Sequence, residues 1–395
     1  MNITINRAEF LDAARKAAAI ASEDAPLEPL KGALLEADAA TNILTIVATN
    51  LETFLELKLP CSTADDDALV VNAKLLAGML ERLPGETVEL RRQPGIASIS
   101  LRGDGAGYDV TIWERGHFPK VQIPFPEDTV KVSGIPSMAR QTTFATVEDK
   151  DRPLLRCVNL MFTQEGLKAV GSDGGCVVTA KGDDKSTGNA SLLLPANSLE
   201  KLAALCADTD EFQVGTAGNS IVFMRPGLMF SARLMEGDYV DTGRIMDNIH
   251  NQFTVLTDVA ELRRALKTVS AVAPKGRVKL AFDSGRITFS CKGELGSAAE
   301  SVDIASLTGA PQGEYWYLIP ALASSLKALS GTVVLGVAQA GMLDLSTENA
   351  YYMQTAVREP VAAPVVVRES PKAEPKKAEK AKFSKAKTKA AKKAA

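Results

Sequence analysis

Three stretches of the chain repeat one order of apolar and polar positions: a β-rich apolar run, a residue suited to starting a helix, then apolar residues at helical spacing. In the middle of the chain Leu192-Leu193-Leu194 meets Pro195, and Leu199, Leu202, Ala203 and Cys206 follow on one helix face. Proline suits a first helical turn, where its missing N–H is no loss. Earlier, Leu69-Val70-Val71 meets Asn72 ahead of Leu75, Leu76, Met79, Leu80 and Leu83. Later, Trp316-Tyr317-Leu318-Ile319 meets Pro320 ahead of Leu322, Leu326 and Leu329. The alanines just after these junctions, Ala73, Ala196 and Ala321, recur at intervals of 123 and 125 residues. That period is too long for a solenoid repeat but ordinary for a domain, so the pattern predicts three copies of one domain.

Each copy also opens with a helix. Phe10, Ala14, Ala17 and Ala21 mark one face in the first third; a helix over 137–147 is expected from Ser137, Met138, Phe144 and Val147; Leu262, Ala265, Leu266, Val269 and Val272 mark the third. Alternating or continuous apolar runs between and after the helices predict strands, among them Ala33–Glu36, Thr53–Leu59, Cys157–Phe162, Leu167–Ser172, Leu228–Leu234, Arg286–Cys291 and Tyr351–Val357. The order helix, strands, helix, strands predicts an α+β fold: three repeated domains, each with two helices packed on antiparallel sheet, not the βαβ alternation of a parallel sheet. Proline-rich residues 117–126 and the segment around Ile249-His250-Asn251 mark the boundaries, giving domains 1–127, 128–252 and 253–366.

Charge separates the remainder. The tail, residues 367–395, holds eleven Lys or Arg, three Glu and one aromatic, too little apolar area to order itself. Removing it from the chain's 45 basic and 48 acidic residues leaves 34 and 45, so residues 1–366 carry about −11 and the tail about +8. A Lys/Ala/Pro tail of this kind reads as a contact for nucleic acid or another acidic surface, with a solubilising extension as the alternative. Five scattered cysteines with no C-x-x-C pair point to a reducing cytosol and to small buried residues, not to a disulfide or zinc framework. No apolar run reaches membrane-spanning length and the N-terminal stretch lacks a signal-peptide core, so the expectation is a soluble, cytoplasmic protein without membrane contact.

Catalytic and cofactor motifs are missing. There is no phosphate-loop signature, no dinucleotide glycine pattern and no H-E-x-x-H, and only His117 and His250 are available for base or metal chemistry. Asp65-Asp66-Asp67 reads as a solvated turn, not a cation site. Gly171-Ser172-Asp173-Gly174-Gly175 precedes a strand and not a helix N-terminus, so it reads as a turn and not as an anion cradle. The expectation is a protein that is not an enzyme and needs no cofactor or metal.

Several local strings resemble the beta subunit of bacterial DNA polymerase III, the bacterial sliding-clamp family. Ala48-Thr49-Asn50-Leu51-Glu52 is similar to the family's A-T-D-L-E, Ser172-Asp173-Gly174 to its T-D-G, Ala232-Arg233-Leu234-Met235-Glu236-Gly237 to its S-R-L-I-E-G, and Tyr352–Arg358 to its closing Y-V-V-M-P-M-R. The resemblance runs in order over residues 1–358 and implies a DNA clamp fold, a homodimeric ring around double-stranded DNA, and a replicative polymerase and clamp loader as partners. It further implies a cleft for a short apolar peptide at Leu155, Ser172, Gly174, Gly175, Cys176, Val177, Val240, Arg244, Ile245, Met353, Thr355, Ala356, Val357 and Arg358. Here G-H-R-L has become Gly174-Gly175-Cys176-Val177 and M-P-M has become Thr355-Ala356-Val357, so a shallower pocket is expected. For the subunit contact the resemblance points to Tyr108 and Val110 opposite Val269 or Val272, with burial inside one domain as the alternative.

Geometry supports two chains. Helices about 9.5 Å apart, each intruding about 5 Å, leave a hole of about 8 Å for six, 26 Å for twelve and 44 Å for eighteen. Only twelve fit a duplex roughly 20 Å across. An acidic ring tolerates DNA when its basic residues face inward, because the outer charge is screened over about 8 Å. Candidate phosphate contacts on the non-core helix faces are Arg15, Lys16, Lys74, Arg82, Arg140, Lys201, Arg263, Arg264, Lys267 and Lys327, with Lys150 in the loop opening the second domain. For any one of them a solvated helix face is the alternative. Asp24 and Ala196-Asn197 stand where the family often carries basic residues, and the tail is expected to offset that thinner lining by holding DNA outside the ring. Two other functions fit the sequence: a clamp-like scaffold for repair or other partners, and a nucleoid-binding protein acting through its tail.

Overall fold

The computed structural model describes residues 1–22, 27–92, 95–149, 151–182, 189–294 and 296–359. Lys150 and the basic tail lie outside them. Helices α1 (Arg7–Ile20), α2 (Ala73–Arg82), α3 (Ile135–Thr142), α4 (Ala196–Ala204), α5 (Thr242–Asp247), α6 (Val259–Ser270) and α7 (Ile319–Ala328) are set among antiparallel strands. Three of the long helices begin on a side-chain cap. Asn6 Oδ1 accepts from the N–H groups of Ala8 and Glu9, Asn72 from Leu75, and Asp258 from Ala260. Each such cap is worth about 1 kcal/mol. α3 and α7 start with proline in the first turn instead. Pro195 is not in the first turn of α4; it ends the preceding strand and stands at the N-cap.

The helix expected over 137–147 is shorter and starts earlier. Gly134, at φ 69°, turns the chain into α3, and Thr142 and Thr143 end it by donating their hydroxyls to the carbonyls of Met138 and Ala139. A 3₁₀ turn, Thr143–Ala145, follows. The short α5 was not foreseen, because its six residues carry too little periodicity.

The strands of one copy are not one sheet. Each copy sends most strands lying between its two helices into one sheet and those flanking the helices into another. As a result, strand Thr53–Pro60 of the first copy pairs with Leu228–Arg233 of the second, Leu55 opposite Phe230, inside a nine-stranded sheet. Strand Cys176–Lys181 of the second copy pairs in the same way with Ala350–Gln354 of the third, Val177 opposite Met353, inside another nine-stranded sheet. Two sheets are left incomplete. The five-stranded one ends on Ala106–Thr111 of the first copy and the four-stranded one on Gly296–Asp303 of the third.

Beneath these sheets the core forms two main clusters. Phe10, Leu76, Leu80, Leu199 and Leu202 are buried with residues of the first two copies, and Leu262, Leu266, Leu322 and Leu326 are buried in the third. Val269 belongs to that third core, fully buried, so its expected place in a subunit contact is corrected: it faces its own domain. Val272 is half-buried against the same core.

Candidate functional site

The six long helices stand side by side. α1 packs on α2, α3 on α4 and α6 on α7, while α1 also touches α4 and α3 touches α7. The resulting row runs α2, α1, α4, α3, α7, α6. Together these helices carry eleven Lys or Arg and five Asp or Glu, net +6, in a body that is otherwise strongly acidic.

The predicted cations fall into three groups. Lys267 and Lys327 are exposed and have no ion pair among the described residues; Lys74 and Arg82 are exposed as well, Arg82 donating to the carbonyl of Gly78. A second group is neutralised. Arg15 pairs with Glu81 at 2.8 Å, Lys16 with Asp12 at 2.6 Å, Arg140 with Asp208 at 2.8 Å, and Arg264 with both Glu261 and Glu300. The Arg15–Glu81, Arg140–Asp208 and Arg264–Glu261 pairs are exposed and exchangeable, so phosphate can compete for those cations, whereas Lys16 and Glu300 are half-buried. The third group is committed elsewhere. Arg263, still exposed, donates to the carbonyls of Leu326 (2.7 Å) and Leu329 (3.0 Å), closing the C-terminus of α7. Lys201 is half-buried, and burial lowers its pKa against the opposing pull of Glu52.

A second surface forms where the second and third copies share a sheet. Val177 and Met353 face each other across the ladder and pack with Val170, Tyr239, Ile249 and Met342. The turn Ser172–Cys176 makes one lip: Ser172 Oγ donates to the carbonyl of Cys176 at 2.8 Å, and Asp173 Oδ1 accepts from the N–H groups of Gly175 and Cys176, both at 2.7 Å. The last segment makes the other, with the Thr355 N–H on the Gly175 carbonyl at 3.0 Å and the Val357 N–H on that of Trp316 at 2.8 Å. Over them runs the segment holding Val240 and Ile245, both exposed, and Arg244.

The structure therefore brings together Ser172, Val177 and Met353 as a buried floor, Gly174, Gly175, Thr355 and Arg358 at an exposed rim, and Ala356 and Val357 half-buried between them, whereas Cys176 is buried with the third copy's core and not with Val177 and Met353. Leu155 sits half-buried in the 3₁₀ turn Pro153–Arg156. A 490 Å³ cavity next to the floor is lined by Arg244, Ile245, Ile249, His250, Gln339 and Met342. Of these, Ile249, His250, Gln339 and Met342 escaped the sequence reading. Their membership depends on how two distant segments meet, for which the chain carries no local signal.

Titration adds little reactive chemistry here. Burial, reinforced by Asp173, pushes the Cys176 thiol up to about 12, and burial pushes Cys157 up to about 11, so both stay protonated at neutral pH and act as packing groups. Asp344 is buried 95 % with Oδ1 unpaired. Burial raises its pKa, although the facing Asn251 side chain pulls the other way. Among the described residues no three His, Cys, Asp or Glu cluster as metal ligands, and no helix is long and apolar enough to cross a membrane.

Two helices per copy, a continuous row of six and sheets shared between neighbouring copies define the DNA clamp fold. Residues 1–119 match the family described as DNA polymerase III beta subunit, N-terminal domain. The beta sliding clamp of Synechococcus elongatus is 25 % identical over 317 residues, 77 % of this chain and 83 % of the relative, and that of Staphylococcus aureus is 22 % identical over 325 residues, 78 % and 85 %. The beta subunit from Streptococcus pyogenes superposes with a TM-score of 0.83 at 21 % identity, and that of Thermotoga maritima with 0.81 at 19 %; each covers 91 % of this chain and all of the other. Over residues 1–119 the chain matches that beta-subunit family, and over most of its length it is similar, at low identity, to beta sliding clamps and shares their fold.

Proposed function

We propose that this protein is a DNA sliding clamp, a processivity factor that closes around duplex DNA as a two-chain ring and tethers the replicative polymerase to it. The observation that carries the proposal is the pair of incomplete sheets. Within the chain, the strand that ends one copy's inner set pairs with the last strand of the next, twice, and each time nine strands result. Strand Gly296–Asp303 is the third copy's equivalent of Thr53–Pro60 and Cys176–Lys181; strand Ala106–Thr111 is the first copy's equivalent of Leu228–Arg233 and Ala350–Gln354. Pairing these two edges between chains joins four strands to five and makes the same nine-stranded sheet. The helix row is open in the same sense, because α6 lacks the neighbour that α1 and α3 find in the next copy's second helix, and a partner's α2 supplies it.

Closure removes edges that would otherwise invite uncontrolled pairing. Tyr108 lies half-buried on one closing strand and Ala298 and Glu300 half-buried on the other. Val110 and Val302 on the same strands are buried in their own cores, as Val269 is, so the expected side-chain contact through Val110 is corrected. Domains 1–127, 128–252 and 253–366 are the repeating units of this ring. The lining contacts phosphates through Arg82, Lys267 and Lys327, with Lys74, Arg15, Arg140 and Arg264 beside them, and reads no sequence, which permits sliding. Polymerase and clamp loader dock a short apolar segment on Val177, Met353, Val240 and Ile245. The protein acts without catalysis. The test is loading onto circular DNA by a cognate loader: retention on the closed circle and release after a single linearising cut support a ring, and equal loss from both forms contradicts it.

A further inference from the structure

A turn of the first copy repeats the lip of the cleft bond for bond. In Thr49–Thr53 the Thr49 hydroxyl donates to the Thr53 carbonyl (2.7 Å) and accepts from the Leu51 N–H (3.0 Å), while Asn50 Oδ1 accepts from the N–H groups of Glu52 (3.1 Å) and Thr53 (2.7 Å). Ser172–Cys176 makes the same four bonds through Ser172 and Asp173. The fold requires a left-handed residue at the middle of this turn. In the second copy it is Gly174, φ 89°; in the first it is Leu51, φ 74°, with 61 % of its surface exposed. A leucine held in that conformation opposes its own backbone preference, a cost found chiefly where a side chain must be displayed.

What it is displayed to is the junction of the first and second copies. Leu51 shares a 200 Å³ cavity with Phe54, Val121 and Ile123, and Glu52, Asn219 and Arg233 link that cavity to a neighbouring one of 860 Å³. Four carboxylates rim the pair, Glu52, Glu148, Glu200 and Glu236, and none has an ion pair among the described residues; Arg156 and Arg233 are the guanidinium groups there. Lys201, half-buried beside Glu52, leaves the rim net acidic. With four carboxylates against Arg156, Arg233 and Lys201 the rim carries a small net negative charge, which favours a cationic segment over phosphate, and an apolar patch with acids at its rim suits a peptide that brings an apolar side chain between basic ones.

We propose that this junction is a second partner-binding groove, with Leu51 as its apolar contact, for an extended protein segment carrying an apolar residue flanked by Lys or Arg. The probe is a short fluorescent peptide with a Leu-Phe pair flanked by lysines and a photo-crosslinking group, used with the full chain. Leu51→Gly keeps the left-handed turn and removes only the side chain, so it folds at least as well; Glu52→Gln with Glu236→Gln removes charge without volume. The proposal expects saturable binding, cross-links to Leu51–Thr53 or Leu234–Glu236, and a loss of roughly ten-fold or more in affinity with either variant. No binding, unchanged affinity in both variants, or cross-links confined to Ser172–Cys176 would overturn it, the last while leaving the cleft between the second and third copies intact. Protection of the same residues by duplex DNA instead of the peptide would also overturn it.

Discussion

Leu51 and Gly174 occupy the same position in two copies of one turn, both left-handed, but only one is a residue that adopts this conformation freely. The cost of a leucine there is about 1–2 kcal/mol, against about 0.5–1 kcal/mol for the extra unfolded-state entropy of glycine. Leu51→Gly is therefore expected to leave the unfolding free energy unchanged or raised by up to about 1 kcal/mol. Gly174→Ala, facing open space except for Arg152 at 3.5 Å, is expected to lower it by about 1 kcal/mol through backbone strain alone. Urea unfolding of both variants checks the opposite signs.

Cations on the same helix differ in their work. Arg263→Ala exposes the Leu326 and Leu329 carbonyls and should cost about 1 kcal/mol of stability with little change in DNA binding. Lys267→Ala and Lys327→Ala should leave stability alone and reduce the slope of log affinity against log salt by about 0.9 per lost phosphate contact. Thermal unfolding and a salt titration of DNA binding, run on all three, separate the roles.

Asp344 makes stability depend on pH. Its folded pKa is raised above its unfolded value, so in the window between them the native state binds more protons and stability falls as pH rises. Above the folded pKa the full cost of a buried carboxylate with one oxygen unpaired is present; below about pH 3.8, the unfolded value, it is gone. Asp344→Asn should gain about 1–3 kcal/mol at pH 7 and little at pH 4. A gain that is equal at both pH values would contradict this account.

The sequence carried the helices and their buried faces well. Leu76, Leu80, Leu199, Leu202, Leu322 and Leu326 repeat at a spacing that only a one-sided helix uses, and three helix starts were marked by Asn72, Pro195 and Pro320. The lip of the cleft was legible as Ser172-Asp173-Gly174 because turn chemistry is local. What was not legible was long-range. Nothing near Thr53 says that its strand will pair with Leu228–Arg233, and nothing near Arg263 says that its guanidinium will meet the end of a helix about sixty residues away. Val269 was misplaced for a related reason: a helix seam reads as apolar whether it faces its own core or a second chain.

Closing the ring should depend on the edge strands. Tyr108→Arg places a charge on the half-buried side of the closing strand Ala106–Thr111 while leaving its backbone free. The dimer is expected to weaken by roughly ten-fold or more, and the fold, monitored by circular dichroism, to persist. Loss of the fold together with the dimer would mean that Tyr108 serves the core and not the contact.

The most direct measurement is the solution mass of the full chain by sedimentation equilibrium at micromolar concentration, with electron micrographs of the same sample. The account predicts twice the chain mass of 41.9 kDa and particles with a central hole wide enough for a duplex. A species of 41.9 kDa without a hole would contradict encirclement of DNA by two copies of this chain.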